Sequence, residues 1–234
     1  RPGVLDRSFA HLEALAQQVE QDGACSLPGC SVAFEVFVPI MLRAVKRGFV
    51  SAEKAQFVWE GLRYGFRCGV NVAEMRGKRK FKNYPTAFAA PSKVSDAIRK
   101  RVTNAKTLCL GVFGEGSKHA IPFRAWCMFP MGAVRKSVED SMRPVDDHTR
   151  TLLNFHTDLS NFRFPLNSHK DVAALFHYMC SMAVKDVSDA FPILPLHPSL
   201  WPFMLFCWNF VHEEEGRPES SLWCLYVHLF AGFG

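Results

Sequence analysis

The stretch Val184-Lys185-Asp186-Val187-Ser188-Asp189-Ala190-Phe191 constrains this chain more than any other. An apolar run beginning at Ala183 carries one carboxylate at Asp186. It then turns through a second, Asp189, onto an aromatic and the proline-bounded segment Pro192-Ile193-Leu194-Pro195-Leu196-His197-Pro198. The pattern predicts a strand that delivers an acid to its own end. On the residues alone, such an Asp caps the following turn, its side chain accepting backbone N–H groups.

A chain of 234 residues with 48% hydrophobic content has material for a sizeable core, and its 21 Phe and 5 Trp require burial, which excludes a disordered chain. The formal charge of +6 is unevenly placed. From Arg76 to Arg101 nine Lys or Arg face a single acid, Asp96, so this region is more positive than the whole chain. Its front part, Arg76-Gly77-Lys78-Arg79-Lys80-Phe81-Lys82-Asn83-Tyr84-Pro85, reads equally as a solvated basic loop or as a phosphate-contacting segment with Phe81 or Tyr84 stacking on a base. The eight cysteines sit mostly inside apolar runs, which suits small hydrophobes in a reduced, intracellular protein, nuclear or cytoplasmic and not secreted. Cys25 and Cys30 offer half of a zinc site without a second pair at ligand spacing. The longest apolar stretch, Phe203 to Val211, is too short to span a bilayer, so no membrane partner is expected. The nine histidines show no paired spacing.

Periodicity predicts helices over Val4 to Asp22, Ala33 to Arg47, and from a Ser51 cap to about Gly69. A further helix is predicted from a Ser92 cap to about Ala105, with Val94, Ala97, Ile98 and Val102 inward and Arg99, Lys100 and Arg101 largely outward. Leu108 to Gly116 reads as a hairpin or irregular turn, and Phe123 to Val134 as strand interrupted at Pro130 and Gly132. Gly132 to Lys136 and Arg143 to Asp147 read as a β-hairpin that brings Lys136 and Arg143 together. Two adjacent cations call for an anion between them, and on the residues alone Asp146 and Asp147 are that anion. A helix is expected to open at Asn167 or Ser168 and feed the strand bearing Asp186. Two apolar strands, Pro202 to His212 and Ser221 to Phe230, close the chain as a hairpin with an acidic turn.

The Asp186-x-x-Asp189-Ala190-Phe191 sequence, with Leu194-Pro195-Leu196-His197-Pro198, Trp201 and the apolar run to Trp208, resembles motif A of reverse transcriptases. The resemblance implies that Asp186 is the catalytic ligand of Mg²⁺, that Asp189 lies near the triphosphate, and that Phe191 excludes a ribose 2′-OH. Lys136 and Arg143, seven residues apart and followed by Asp147 and Leu153-Asn154, are similar to the fingers hairpin that holds the phosphates of an incoming dNTP. Asn83-Tyr84-Pro85-Thr86-Ala87 resembles the entry to the fingers in retroelements of the tyrosine-recombinase type. By this likeness Arg76, Lys78, Arg79, Lys80, Lys82, Arg99, Lys100 and Arg101 would track the backbone of an RNA or DNA template-primer.

The expected fold is α+β: a helical N-terminal region (1–75), a basic linker and helix (76–106), a fingers-like β region (107–165) and the start of a palm (166–234), with antiparallel strands backed by helices. Two-metal phosphoryl transfer needs further carboxylates. The family's aromatic-x-Asp-Asp hairpin does not occur in these residues, and Phe233-Gly234 falls where the next motif begins. The expectation is therefore a fragment of a longer reading frame, inactive by itself, with an open palm edge available to a protein partner. The alternative is a domesticated or decayed segment acting as a non-catalytic nucleic-acid-binding or structural subunit.

Overall fold

In a computed structural model, residues 3–135, 142–151, 153, 155–158, 193–210 and 223–231 are described. Three helices come first: α1 (Gly3–Asp22), α2 (Phe34–Lys46) and α3 (Ala52–Tyr64). Strand β1 (Lys78–Lys80), the short helix α4 (Pro85–Phe88), helix α5 (Pro91–Thr103) and strand β2 (Thr107–Val112) follow. The remaining strands are β3 (Trp126–Met128), β4 (Met131–Arg135), β5 (Met142–Asp146), β6 (Leu205–Trp208) and β7 (Cys224–His228).

Five strands form one sheet in the order β1-β3-β6-β7-β2. The α+β class stands, but the strands are not all antiparallel. β1, β3 and β6 run parallel to one another, while β6–β7 and β7–β2 are antiparallel. Parallel neighbours need long crossovers, and the connection from β1 to β3 supplies one, carrying α4, α5 and β2. β6 and β7 pair where the sequence predicts its closing hairpin, with Leu205 opposite Val227 and Trp208 opposite Cys224.

Side-chain alternation divides the sheet into two packed faces. Leu205, Cys207, Leu225 and Val227 join Leu110 and the α1 residues Phe9, Leu12, Leu15 and Val19 on one face. Phe206, Trp208 and Tyr226 point the other way, into a cluster with Ala87, Ala90, Val94, Ile98 and Phe129. Residues on both faces are buried, which is why these strands read as unbroken apolar runs. Each such Leu or Phe contributes roughly 1.5–3 kcal/mol of burial. Because α1 packs in this core, residues of the helical N-terminal region and of the closing strands share one interior.

Several boundaries differ from the sequence reading for local reasons. α3 stops at Tyr64 because Gly65 takes φ +87°, which turns Phe66 out to bridge Leu196. Ser51 caps that helix as expected, accepting from Lys54 N at 3.2 Å. α5 begins on Pro91 at its first position, with Ala90 and not Ser92 as the cap residue. Val102 is exposed, and the inward stripe of Val94, Ser95 and Ile98 continues instead onto Arg101. Helix α2 carries no buried residue; Phe34 meets Trp59 of α3 edge to face at 6.1 Å. Leu108 to Val112 lies in β2, whose register with β7 shifts between Cys109 and Gly111, so Gly111 marks a bulge inside a strand.

Candidate phosphate-binding cleft

β4 and β5 pair antiparallel where the sequence predicts its hairpin, with Val134 opposite Arg143 and Arg135 opposite Met142. The segment before α4 anchors this ribbon. Asn83 accepts from Met131 N through Oδ1 at 3.0 Å and donates through Nδ2 to the Cys207 carbonyl at 3.0 Å, joining β4 to β6. Thr86 Oγ1 accepts from Ala133 N at 3.2 Å, and Tyr84 OH donates to Asp147 Oδ2 at 2.5 Å. The ribbon is thus held against α4 at both backbone and side-chain level.

The C-terminus of α5 faces the same strand. Asn104 and Ala105 end the helix, with Ala105 at φ +52°. Ala105 N donates to Val102 O at 3.0 Å and Lys106 N to Arg101 O at 2.8 Å, the paired closure that normally uses glycine. This end of α5, the loop 28–31, Ile193, and Arg143 and Pro144 of β5 enclose a cleft of about 850 Å³. Its wall includes Lys100, Arg101, Lys106 and Arg143, and no carboxylate among the described lining residues. Cations here also complement the negative end of the α5 dipole.

The four cations are differently placed. Arg101 turns inward and donates to Asp146 Oδ2 at 2.9 Å. Lys106 donates through Nζ to the Gly29 carbonyl and lies 4.2 Å from the centroid of the Phe230 ring. Arg143 is exposed, and among the described residues no carboxylate lies within 4.0 Å of it. The two acids that the sequence reading set against it, Asp146 and Asp147, are committed elsewhere. Asp146 serves Arg101 and, at 3.3 Å, His228. Asp147 accepts from Tyr84 OH and from the backbone N–H groups of Thr149 and Arg150. Asp146 and Asp147 are therefore used to hold the fold.

A buried polar cluster lies behind the cleft. Asp146 is fully buried and its carboxyl is nonetheless held below the usual carboxylate range: burial opposes ionisation, and the Arg101 and His228 partners outweigh it. His228 Nδ1 and Thr107 Oγ1 are 2.6 Å apart. His148 packs against the Phe129 ring at 4.6 Å, with neither ring nitrogen hydrogen-bonded, and burial pulls it down to about 4.

The rest of the basic region does not form one patch with the cleft. Lys78, Arg79 and Lys80 make up β1, an exposed edge strand, four strand spacings from β2, or roughly 19 Å. A lysine-rich edge resists pairing with other chains, so these charges have a structural use. Lys80 Nζ lies 4.9 Å from the Phe113 ring centroid. Arg76 and Lys82 are exposed on either side of β1. Arg99 pairs with Asp96 at 3.3 Å on the outer face of α5, with its guanidinium 5.0 Å from the Phe210 ring. Of the two proposed stacking rings, Phe81 packs against the core with Arg150 over it at 5.9 Å, and Tyr84 is tied to Asp147.

Lys136, Asp186, Asp189 and Phe191, and the helix expected from Asn167 or Ser168, lie outside the described residues. Among the described residues no group of three or more His, Cys, Asp or Glu is arranged to hold a metal ion, and no helix is long and apolar enough to cross a membrane. Lys106 and Asn83 carry roles that sequence reasoning missed. Lys106 is an isolated cation after a helix end, and Asn83 signals itself only by lying before the Tyr-Pro pair. In comparisons with known proteins, no family model and no curated protein matches this chain.

Proposed function

We propose that this chain is the fingers and first palm portion of a retroelement reverse transcriptase, and that the cleft between α5 and β5 receives phosphate groups of its nucleic-acid or nucleotide substrates. The parent reaction is attack of a primer 3′-OH on a dNTP, templated by RNA or DNA, with pyrophosphate leaving. The observation that supports this most is the meeting of Lys100, Arg101, Lys106 and Arg143 around a cleft with no carboxylate among its described lining residues. Three of the four were singled out from sequence for phosphate contact. In this reading Asp186 holds Mg²⁺, Arg143 and Lys136 offset triphosphate charge, Asp189 lies beside them, and Phe191 selects the deoxy sugar. Arg76, Lys78, Arg79, Lys80, Lys82 and Arg99 add a diffuse positive field that draws a polyanion in. With one motif carboxylate and no aromatic-x-Asp-Asp sequence in these 234 residues, the chain alone binds and does not polymerise.

Binding of a labelled template-primer across a salt series tests the reading. Affinity is expected to fall steeply between low and moderate salt, and Arg143→Ala combined with Lys100→Ala is expected to flatten the slope by about two phosphate contacts. Undetectable binding at low salt would remove it and leave a protein scaffold.

A further inference from the structure

Trp126 opens β3, next to the β1 edge of the five-stranded sheet, and is only 3% exposed. Its indole Nε1 is buried and has no hydrogen-bond partner among the described residues. An indole N–H can only donate, and it usually finds an acceptor when buried. Left dry it costs the desolvation of the group, so this one calls for an acceptor from outside the chain.

Trp126 lines a cavity of about 90 Å³ whose wall also includes Glu74, Arg76, Arg79, Thr151 and His156. Trp126 N donates to Gly77 O at 3.0 Å, which seats the segment between Arg76 and Arg79 against it. Both arginines are exposed, and among the described residues no carboxylate lies within 4.0 Å of either. Glu74 is committed: Asn71 Nδ2 donates to its Oε1 at 2.6 Å, and its Oε2 lies 3.3 Å from His156 Nδ1. Thr151 Oγ1 donates to the His148 carbonyl at 2.8 Å. The nitrogen groups left over on this wall are therefore all donors, one indole N–H and two guanidiniums that stay charged.

We propose that this pocket binds one phosphate group, with Trp126 Nε1 donating to an oxygen from the buried side and Arg76 and Arg79 offsetting its charge from the exposed side. At roughly 30 Å³ of liquid per water, a cavity of about 90 Å³ has room for three waters or for a single tetrahedral oxyanion. A water would accept from the indole but leave two cations unpaired beside it. A phosphate has an oxygen for each of the three donors, and its charge-assisted bonds are about twice as strong as neutral ones. The site is separate from the α5–β5 cleft, shares none of its lining residues, and rests on Trp126 rather than on the reverse-transcriptase reading. The same chemistry recognises a free phosphate and a backbone phosphate of a nucleic acid.

The test is the indole N–H NMR spectrum of the full chain, labelled with heavy nitrogen at tryptophan. It is titrated with inorganic phosphate and, separately, with a short single-stranded oligonucleotide, at constant ionic strength. One indole peak, the one absent from Trp126→Phe, is expected to move saturably with phosphate and to stay in place with chloride. Arg76→Gln combined with Arg79→Gln should weaken that response at least about tenfold, through loss of charge-assisted hydrogen bonds. A response to the oligonucleotide, alone or at lower concentration than phosphate, supports the site and assigns it to backbone phosphate. A response to phosphate alone, or at the lower concentration, supports it and assigns it to the free ion. A Trp126 peak that neither ligand moves, that chloride moves equally, or that moves unchanged in the double arginine variant would overturn the site. If Trp126→Phe does not fold, the exposed arginine pair decides: indole responses identical to those of the unmutated chain would overturn the proposal.

Discussion

Arg101 donates to Asp146 at 2.9 Å from a side chain that is 15% exposed to one with no exposure. That contact joins helix α5 to strand β5, both of which line the basic cleft. A buried pair of this kind resists the loss of one partner far more than the loss of both, because the survivor is left as an uncompensated buried charge. Arg101→Met is expected to lower stability by about 3–5 kcal/mol. The double variant Arg101→Met with Asp146→Leu should lose less than either single change, as read by urea denaturation in a double-mutant cycle.

The same cluster makes stability depend on pH. His148 is held at about 4 against an ordinary 6.5, and His228 is also held below its ordinary value by burial. An unfolded chain takes up protons on these rings near 6.5, while the folded chain does not until lower pH. Between about 6.5 and 4 the unfolded state therefore binds more protons, and stability falls as pH falls through that window. For His148 the loss approaches about 3 kcal/mol. Asp146, whose folded value is depressed, keeps its contribution throughout that window and loses it only below the ordinary carboxylate value of 3.8. Denaturation midpoints measured from neutral to mildly acidic pH should show the decline, and His148→Leu should shrink it.

Asn83 is expected to be one of the most sensitive polar positions. Its amide satisfies Met131 N and the Cys207 carbonyl at 3.0 Å each. Asn83→Ala leaves both backbone groups without that partner, at a cost of about 1–3 kcal/mol for each one that stays dry. Hydrogen exchange should show Met131 N losing protection while α1 keeps its own.

Gly29 sets the opposite wall of the cleft. A methyl group added there would clash with the Ala105 carbonyl oxygen and stand 2.7 Å from the Phe230 ring. Gly29→Ala should therefore displace the 28–31 loop, disturb the Lys106 contact with the Gly29 carbonyl, and lower stability by about 1–3 kcal/mol. Thermal unfolding would register the change.

Helix and strand positions were legible where one physical signal dominated. The α1 stripe of Phe9, Leu12, Leu15 and Val19, the Ser51 cap, and the β4–β5 and β6–β7 pairs follow from periodicity and local chemistry alone. The parallel alignment of β1, β3 and β6 was not legible, because it depends on contacts between Lys78–Lys80 and Trp126–Met128 that no local pattern encodes. Arg101 shows the limit most clearly. Its neighbours mark it as an outward cation, and only the distant Asp146 and His228 draw it in. Arg143 was found because its spacing to Lys136 carries a resemblance. Lys106 was missed because its role depends on Gly29 and Phe230, far away in sequence.

The most direct measurement is Mg²⁺-dependent primer extension by the full-length protein, comparing the unmutated protein with Asp186→Asn and Arg143→Ala. Asp186→Asn should abolish nucleotide incorporation with an unchanged circular-dichroism spectrum, and Arg143→Ala should raise the KM for dNTP by about tenfold or more through loss of a charge-assisted phosphate contact. Near-normal extension by Asp186→Asn would contradict the account at its centre.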